Sequence, residues 1–234
     1  METTPTLTDT IAGLAPTLRA VPAREDSALW CALVGVTVIA LLCLPVFRRL
    51  LAAFLKCLFR RHGDSVQPDM TFSERLIVGV CLLQTLVYEG LILYVLSGAD
   101  ARPPLGAVGL MTLVAAAVMT VQFLGYRAVG FAFTSRELTG AWVHAFSMSQ
   151  ALAGYLLAPL AVCALVYPEA AGGLLIAAGA VYVGCRILLY IRAFGIFYQN
   201  YRSILEFFLY LCTLEIVPLL LAWVVSARIL TLFR

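Results

Sequence analysis

Apolar residues run along this chain in long blocks. Residues 27–46, 76–96, 105–126, 146–167, 171–191 and 207–225 are dominated by Leu, Val, Ala, Ile and Phe. Each block holds about 20 residues, the number a helix needs to cross ~30 Å of hydrocarbon. The strands of a membrane barrel would show short alternating segments instead. The pattern therefore predicts an all-α fold, a polytopic transmembrane bundle of about six spanning helices. Polar breaks divide it into a mobile tail at 1–26, with Pro5, Pro16 and Pro22, and a single membrane domain at 27–234.

Several segments between the blocks have a character of their own. Residues 47–61 alternate Leu and Phe with Arg48, Arg49, Lys56, Arg60 and Arg61. At about 100° per residue, Arg49, Lys56 and Arg60 share a face. The expected element is a basic amphipathic helix after the first span. Two placements stay open for it: flat on an anionic lipid surface, or upright as an extension of the first span with snorkelling ends. Residues 62–73 read as a linker and 98–104 as a tight turn. Residues 127–143 read as an interfacial segment with Trp142 at headgroup depth. Tyr198, Tyr201 and Tyr210 suit an aromatic belt beside the last span.

Composition sharpens this picture. Of 234 residues, 62% are hydrophobic and 12% charged, against about 25% charged in soluble domains. A net charge of +3 gives no support for nucleic-acid binding. Cys31, Cys43, Cys57, Cys81, Cys163, Cys185 and Cys212 form no Cys-x-x-Cys pair and read as small hydrophobes rather than ligands or disulfides. The first apolar run lacks the basic start of a signal peptide, so it is expected to be a retained helix. Lys and Arg fall roughly two to one on the side of the segment after the first span, which predicts that segment to be cytoplasmic and both termini periplasmic.

The clearest anomaly is Glu215, near the centre of the sixth block, three residues before Pro218. A charged residue at that depth costs about 2.5–3.5 kcal/mol on insertion scales and is expected to face the bundle. Pro218 cannot donate to the carbonyl of Leu214, which leaves an acceptor free at the same depth. The structural reading is a buried glutamate that locks helices together; the functional one is a proton or cation site. Arg186, in the fifth block, lies within about 5 Å of the depth of Glu215 at the helical rise per residue and is the expected partner, the alternative being that it snorkels toward Arg192. Glu89, with Gln84 just over a turn earlier, is a second intramembrane acid, and Gly90 beside it allows a close backbone approach. Gly173, Ala177, Ala180 and Gly184 form a small-residue stripe on which another helix can pack. Ser147, Ser149 and Gln150 open the fourth block, where capping and interhelical bonds account for them. Pro159 is expected to kink that helix.

Catalytic sets are absent from the sequence. His62 and His144 belong to no ligand spacing, and neither a Gly-x-Ser-x-Gly motif nor a phosphate-binding glycine loop occurs. No metal or cofactor is expected.

Gly154-Tyr155-Leu156-Leu157-Ala158-Pro159, the arginine-containing stretch from Tyr182 to Arg192, and the closing Phe208-Leu209-Tyr210-Leu211-Cys212-Thr213-Leu214-Glu215-Ile216-Val217-Pro218-Leu219 together resemble the family called domain of unknown function 4271, polytopic membrane proteins of the Bacteroidota. The likeness covers roughly residues 70–227. It implies an inner-membrane location and supplies no activity. The leading expectation is a non-enzymatic scaffold or accessory component, with the lipid bilayer and either another membrane protein or a second copy as partners. A small proton-coupled carrier using Glu215, Arg186 and Glu89 is the alternative. A lipid-directed intramembrane enzyme has neither nucleophile nor metal set.

Overall fold

The structure, a computed structural model, describes residues 26–59, 71–97, 104–133, 136–197, 220–221 and 224–225. They form five long helices: α1 (Ser27–Phe59), α2 (Phe72–Leu96), α3 (Pro104–Phe133), α4 (Arg136–Val166) and α5 (Ala171–Phe197), with a 3-10 turn at Pro168–Ala170 between the last two. All five are long enough and apolar enough to cross a membrane. The expected sixth span, 207–225, lies almost entirely outside the described residues, as do nearly all of the tail at 1–26, most of the linker at 62–73, most of the turn at 98–104, and Tyr198, Tyr201 and Tyr210.

Local chemistry explains the helix starts. Asp26 opens α1, its Oδ1 accepting from the N–H groups of Ala28 (3.0 Å) and Leu29 (3.3 Å). Thr71 opens α2 in a capping box. Its N–H donates to Glu74 Oε2 at 2.9 Å, and the Glu74 N–H donates back to its hydroxyl, so two donors that the first turn would orphan are satisfied together. Pro168 ends the run after α4 and starts a single tight turn, so α4 and α5 pack back to back.

The helix boundaries decide between the two placements of residues 47–59 and redraw the segment at 127–143. Residues 47–59 do not form a separate amphipathic helix; they continue α1, which runs unbroken through Pro45 to Phe59. Phe47 and Phe54 explain this, because both are buried in a cluster with Tyr126, Trp142 and Phe146. A helix lying flat on the lipid would forfeit that burial. The segment 127–143 is not a separate element between two helices: α3 continues to Phe133 and α4 begins at Arg136. Trp142 is fully buried, with its ring 4.9 Å from that of Tyr126, which in turn meets Phe146 edge-on at 4.8 Å. Three aromatic rings from α3 and α4 thus close one end of the bundle. Pro159 sits inside α4, which continues past it to Val166.

α4 is the hub of the arrangement. It packs extensively on α2 and α5 and also meets α3 and α1, while α2 packs on α3 and α1. Half of the α4 span is buried, against 17% for α1. Two glycines set the closest approaches. A Cβ on Gly90 would strike the backbone of Thr112, and one on Gly154 would strike Thr85. α2 therefore approaches α3 at the first contact and α4 at the second more closely than any side chain permits, the small-residue contact that membrane helices favour.

The distribution of polarity is the reverse of a soluble protein's. Leu42 is 75% exposed and Ile176 77%, with Leu76, Leu83, Leu113 and Leu124 also outward. Among the described residues the buried polar ones are Gln84, Thr85, Gln122, Ser149, Gln150 and Arg186. An apolar exterior on this scale is unfavourable in water and is what contact with lipid requires. The protein is a multi-pass helical membrane protein.

Candidate functional site

Polar side chains, buried except for the half-buried Glu89 and Tyr182, gather where α2, α3, α4 and α5 meet. Glu89 comes from α2, Gln122 from α3, Ser149 and Gln150 from α4, and Tyr182 and Arg186 from α5. Within a membrane span such groups turn to protein partners, because an unsatisfied one would cost several kcal/mol, on the order of that for transfer into hydrocarbon.

Two amide side chains serve the two charges. Gln150 Nε2 donates to Glu89 Oε1, joining α4 to α2. Arg186 Nη2 donates to Gln122 Oε1 at 3.0 Å, joining α5 to α3, and also to the Tyr182 hydroxyl one turn earlier on its own helix. The guanidinium lies over the rings of Tyr182 (4.8 Å to the centroid) and Phe146 (5.1 Å). An arginine whose faces are covered by aromatic rings keeps favourable contacts after losing its water. Arg186 and Glu89 are also near enough for their charges to act on one another.

Backbone acceptors complete the stitching. Ser149 Oγ donates to the Cys185 carbonyl at 2.7 Å. The Thr85 hydroxyl lies within hydrogen-bond distance of the Cys81 and Gln150 carbonyls, at 2.8 and 3.2 Å. α1 is attached by Thr37 Oγ1 to the Tyr88 hydroxyl (2.7 Å) and by the Tyr155 hydroxyl donating to the Ala40 carbonyl (2.8 Å). Among the described residues, Gln84 Oε1 and Gln122 Nε2 are buried without a partner.

Of the residues singled out from sequence, the structure brings Glu89 and Arg186 into this one centre. Gln84 is buried on α2. Ser149 and Gln150 sit in the middle of α4, not at a helix start, so the interhelical part of their expected role stands and the capping part does not; Ser147 donates to the Val143 carbonyl within its own helix. Glu215 and Pro218 lie outside the described residues, as do Arg60 and Arg61. Arg48, Arg49 and Lys56 are exposed along the extension of α1.

The small-residue stripe does not carry the packing of α5 against the described helices. Gly173, Ala180 and Gly184 are exposed and Ala177 is half-buried. A Cβ at Gly173 or Gly184 would meet nothing within 4 Å. α5 packs through Ala178, Cys185, Arg186 and Leu189, on the opposite side at about 100° per residue. The bond from Ser149 to the Cys185 carbonyl and the need to keep Arg186 inside fix that rotation.

Gln122 was missed in the sequence. Its signal was plain, since it is the one amide within the block at 105–126. Among the described residues no group of three or more His, Cys, Asp or Glu side chains could hold a metal ion. Cys31, Cys43, Cys81, Cys163 and Cys185 are unpaired thiols.

Comparison with known proteins gives one match. The family described as domain of unknown function (DUF4271) matches residues 29–225, a range that includes all of the polar centre. No curated protein and no solved structure shows a significant match. With its polytopic helices and a match over most of its length, the chain belongs to the DUF4271 family of proteins.

Proposed function

We propose that this protein is a non-enzymatic helical component of the inner membrane, a scaffold or accessory subunit of a membrane assembly. The observation that carries this reading is the use to which its intramembrane charges are put. Glu89 and Arg186 are each held by an amide from a neighbouring helix, which locks four helices in register. Glu215 is assigned the same kind of role for the sixth span. The exposed stripe of Gly173, Ala177, Ala180 and Gly184 is then the face of α5 open to another membrane protein or a second copy. Both termini are assigned to the periplasm, with Arg48, Arg49 and Lys56 at the cytoplasmic lipid surface.

Co-purification from native membranes in mild detergent tests this. The protein should emerge with a stoichiometric partner or as a defined oligomer, and Glu89→Gln and Glu215→Gln should leave that assembly intact. A lone monomer that carries a solute would contradict it.

A proton-coupled carrier is the second reading, favoured by one observation: Glu89 is only half-buried and lies within range of the Arg186 charge. In proteoliposomes a carrier should acidify or alkalinise the lumen with its solute, and Glu89→Gln should abolish this by removing ionisation while keeping the hydrogen bond from Gln150.

A further inference from the structure

We propose that Arg48, Arg49, Arg75 and Arg127 form one level across α1, α2 and α3 at which the bundle selects an anionic phospholipid by its phosphate. The contacts between the helices set the level. α2 meets α3 where Gly90 faces Thr112. Fifteen residues back along α2 from Gly90 stands Arg75, and fifteen residues on along the returning α3 from Thr112 stands Arg127, both about 22 Å from that contact at the helical rise. α1 meets α2 where Thr37 bonds the Tyr88 hydroxyl. Twelve residues on from Thr37 is Arg49, and thirteen back from Tyr88 is Arg75. The proximity of Arg49 and Glu74, whose charges act on one another, agrees with this register. All four arginines are exposed.

The level falls where a headgroup phosphate would lie. From Arg75 to the end of α2 at Ser97 is about 33 Å at the helical rise, close to the ~30 Å of hydrocarbon. On the hydrocarbon side of the arginines the outward residues are apolar: Leu76 beside Arg75, Leu83 two turns further along α2, and Leu124 about one turn from Arg127. Glu74, the acid beside Arg49, is taken up by the Thr71 cap, to which its carboxylate is bonded through both N–H and hydroxyl. Guanidinium groups bind phosphate through paired N–H donors. An acidic protein surface would answer the charges and leave the leucines below them uncovered; a phospholipid answers both, with its phosphate among the arginines and its acyl chains along Leu76, Leu83 and Leu124. The proposal rests on the membrane-spanning fold and is independent of the scaffold role, so a monomer without a protein partner would refute that role and leave this selectivity intact.

Spin-labelled phosphatidylglycerol and phosphatidylcholine, each added to the full-length protein reconstituted in phosphatidylcholine, measure the selectivity through the fraction of immobilised label. The wild type should prefer phosphatidylglycerol by about fivefold, the factor that one basic residue at an anionic surface supplies, and the preference should shrink with added salt. Arg75→Gln with Arg127→Gln should remove most of it, and Arg75→Lys with Arg127→Lys should restore part. Arg49→Gln and Lys56→Gln delete the same charge from one helix about 10 Å apart; the first should lower the preference and the second should change it by less than about twofold. Should the paired glutamine variant fail to fold, the comparison of Arg49 with Lys56 decides alone. Equal binding of the two lipids by the wild type, a preference that survives the glutamine pair, or equal losses in Arg49→Gln and Lys56→Gln overturns the proposal.

Discussion

At the residue scale, the closest contacts depend on the absence of a side chain. Gly90 faces Thr112 and Gly154 faces Thr85 with no room for a methyl group. Gly90→Ala should lower stability by about 1–3 kcal/mol, the usual penalty for overpacking. Gly79 lies on the same helix with nothing within 4 Å of its missing Cβ, so Gly79→Ala should be neutral or gain up to about 1 kcal/mol from helix propensity. Thermal melting of the two variants in detergent checks the pair, and equal effects would mean that α2 and α3 are not in this contact. Gln150→Leu should cost about 1–3 kcal/mol, because it leaves Glu89 with its donor removed in a site that still excludes water. Glu89→Gln in the same background should recover part of the loss, which a melting series over the four combinations would reveal.

The polar residues of the centre were legible individually and illegible as a group. Glu89, Gln84 and Arg186 stand out because each interrupts an apolar run. Which amide serves which charge was hidden, since Gln150 is 61 residues from Glu89 and Arg186 is 64 from Gln122. Gln122 itself carries no charge and was passed over, although an amide in hydrocarbon needs a partner as surely as an acid does.

At the scale of elements, helix existence followed from hydropathy and helix ends did not. An apolar run stops where lipid stops, whereas a helix stops where its hydrogen bonds do. α1 is 33 residues long, about 50 Å at the helical rise, so it outruns a ~30 Å core. Its last turns carry Arg48, Arg49 and Lys56 outward and Phe47 and Phe54 inward, a pattern that suits a flat amphipathic helix and an upright one equally in sequence. Only the buried aromatic end of α3 and α4 decides between them. The rotation of α5 was equally hidden, because both its faces are apolar and the small residues line the one that turns out. Ala178→Leu should therefore disrupt folding, whereas Gly184→Leu should leave the monomer's melting temperature within about 2 °C of wild type, as befits an outward position. Loss of a co-purifying partner in Gly184→Leu, with folding retained, would identify the stripe as the docking face. Unfolding of Gly184→Leu would show that the stripe packs inside the protein.

At the scale of the whole molecule, the fold is held by lipid outside and by polar contacts within. Interhelical hydrogen bonds in membrane proteins average only about 0.6 kcal/mol each. The contacts among Glu89, Gln150, Arg186 and Gln122 therefore fix which helices meet and at what rotation, while close packing around α4 supplies the bulk of the cohesion. Such an arrangement requires the outward Leu, Ile and Val to be immersed in hydrocarbon. Spin labels placed singly at Leu42, Ile176 and Leu189 in reconstituted bilayers measure this directly through their collisions with oxygen and with a water-soluble nickel chelate. Labels at Leu42 and Ile176 should collide freely with oxygen and be shielded from the chelate, and the label at the buried Leu189 should be shielded from both. Chelate access at Leu42 or Ile176 would put those faces in water and contradict the membrane-spanning fold.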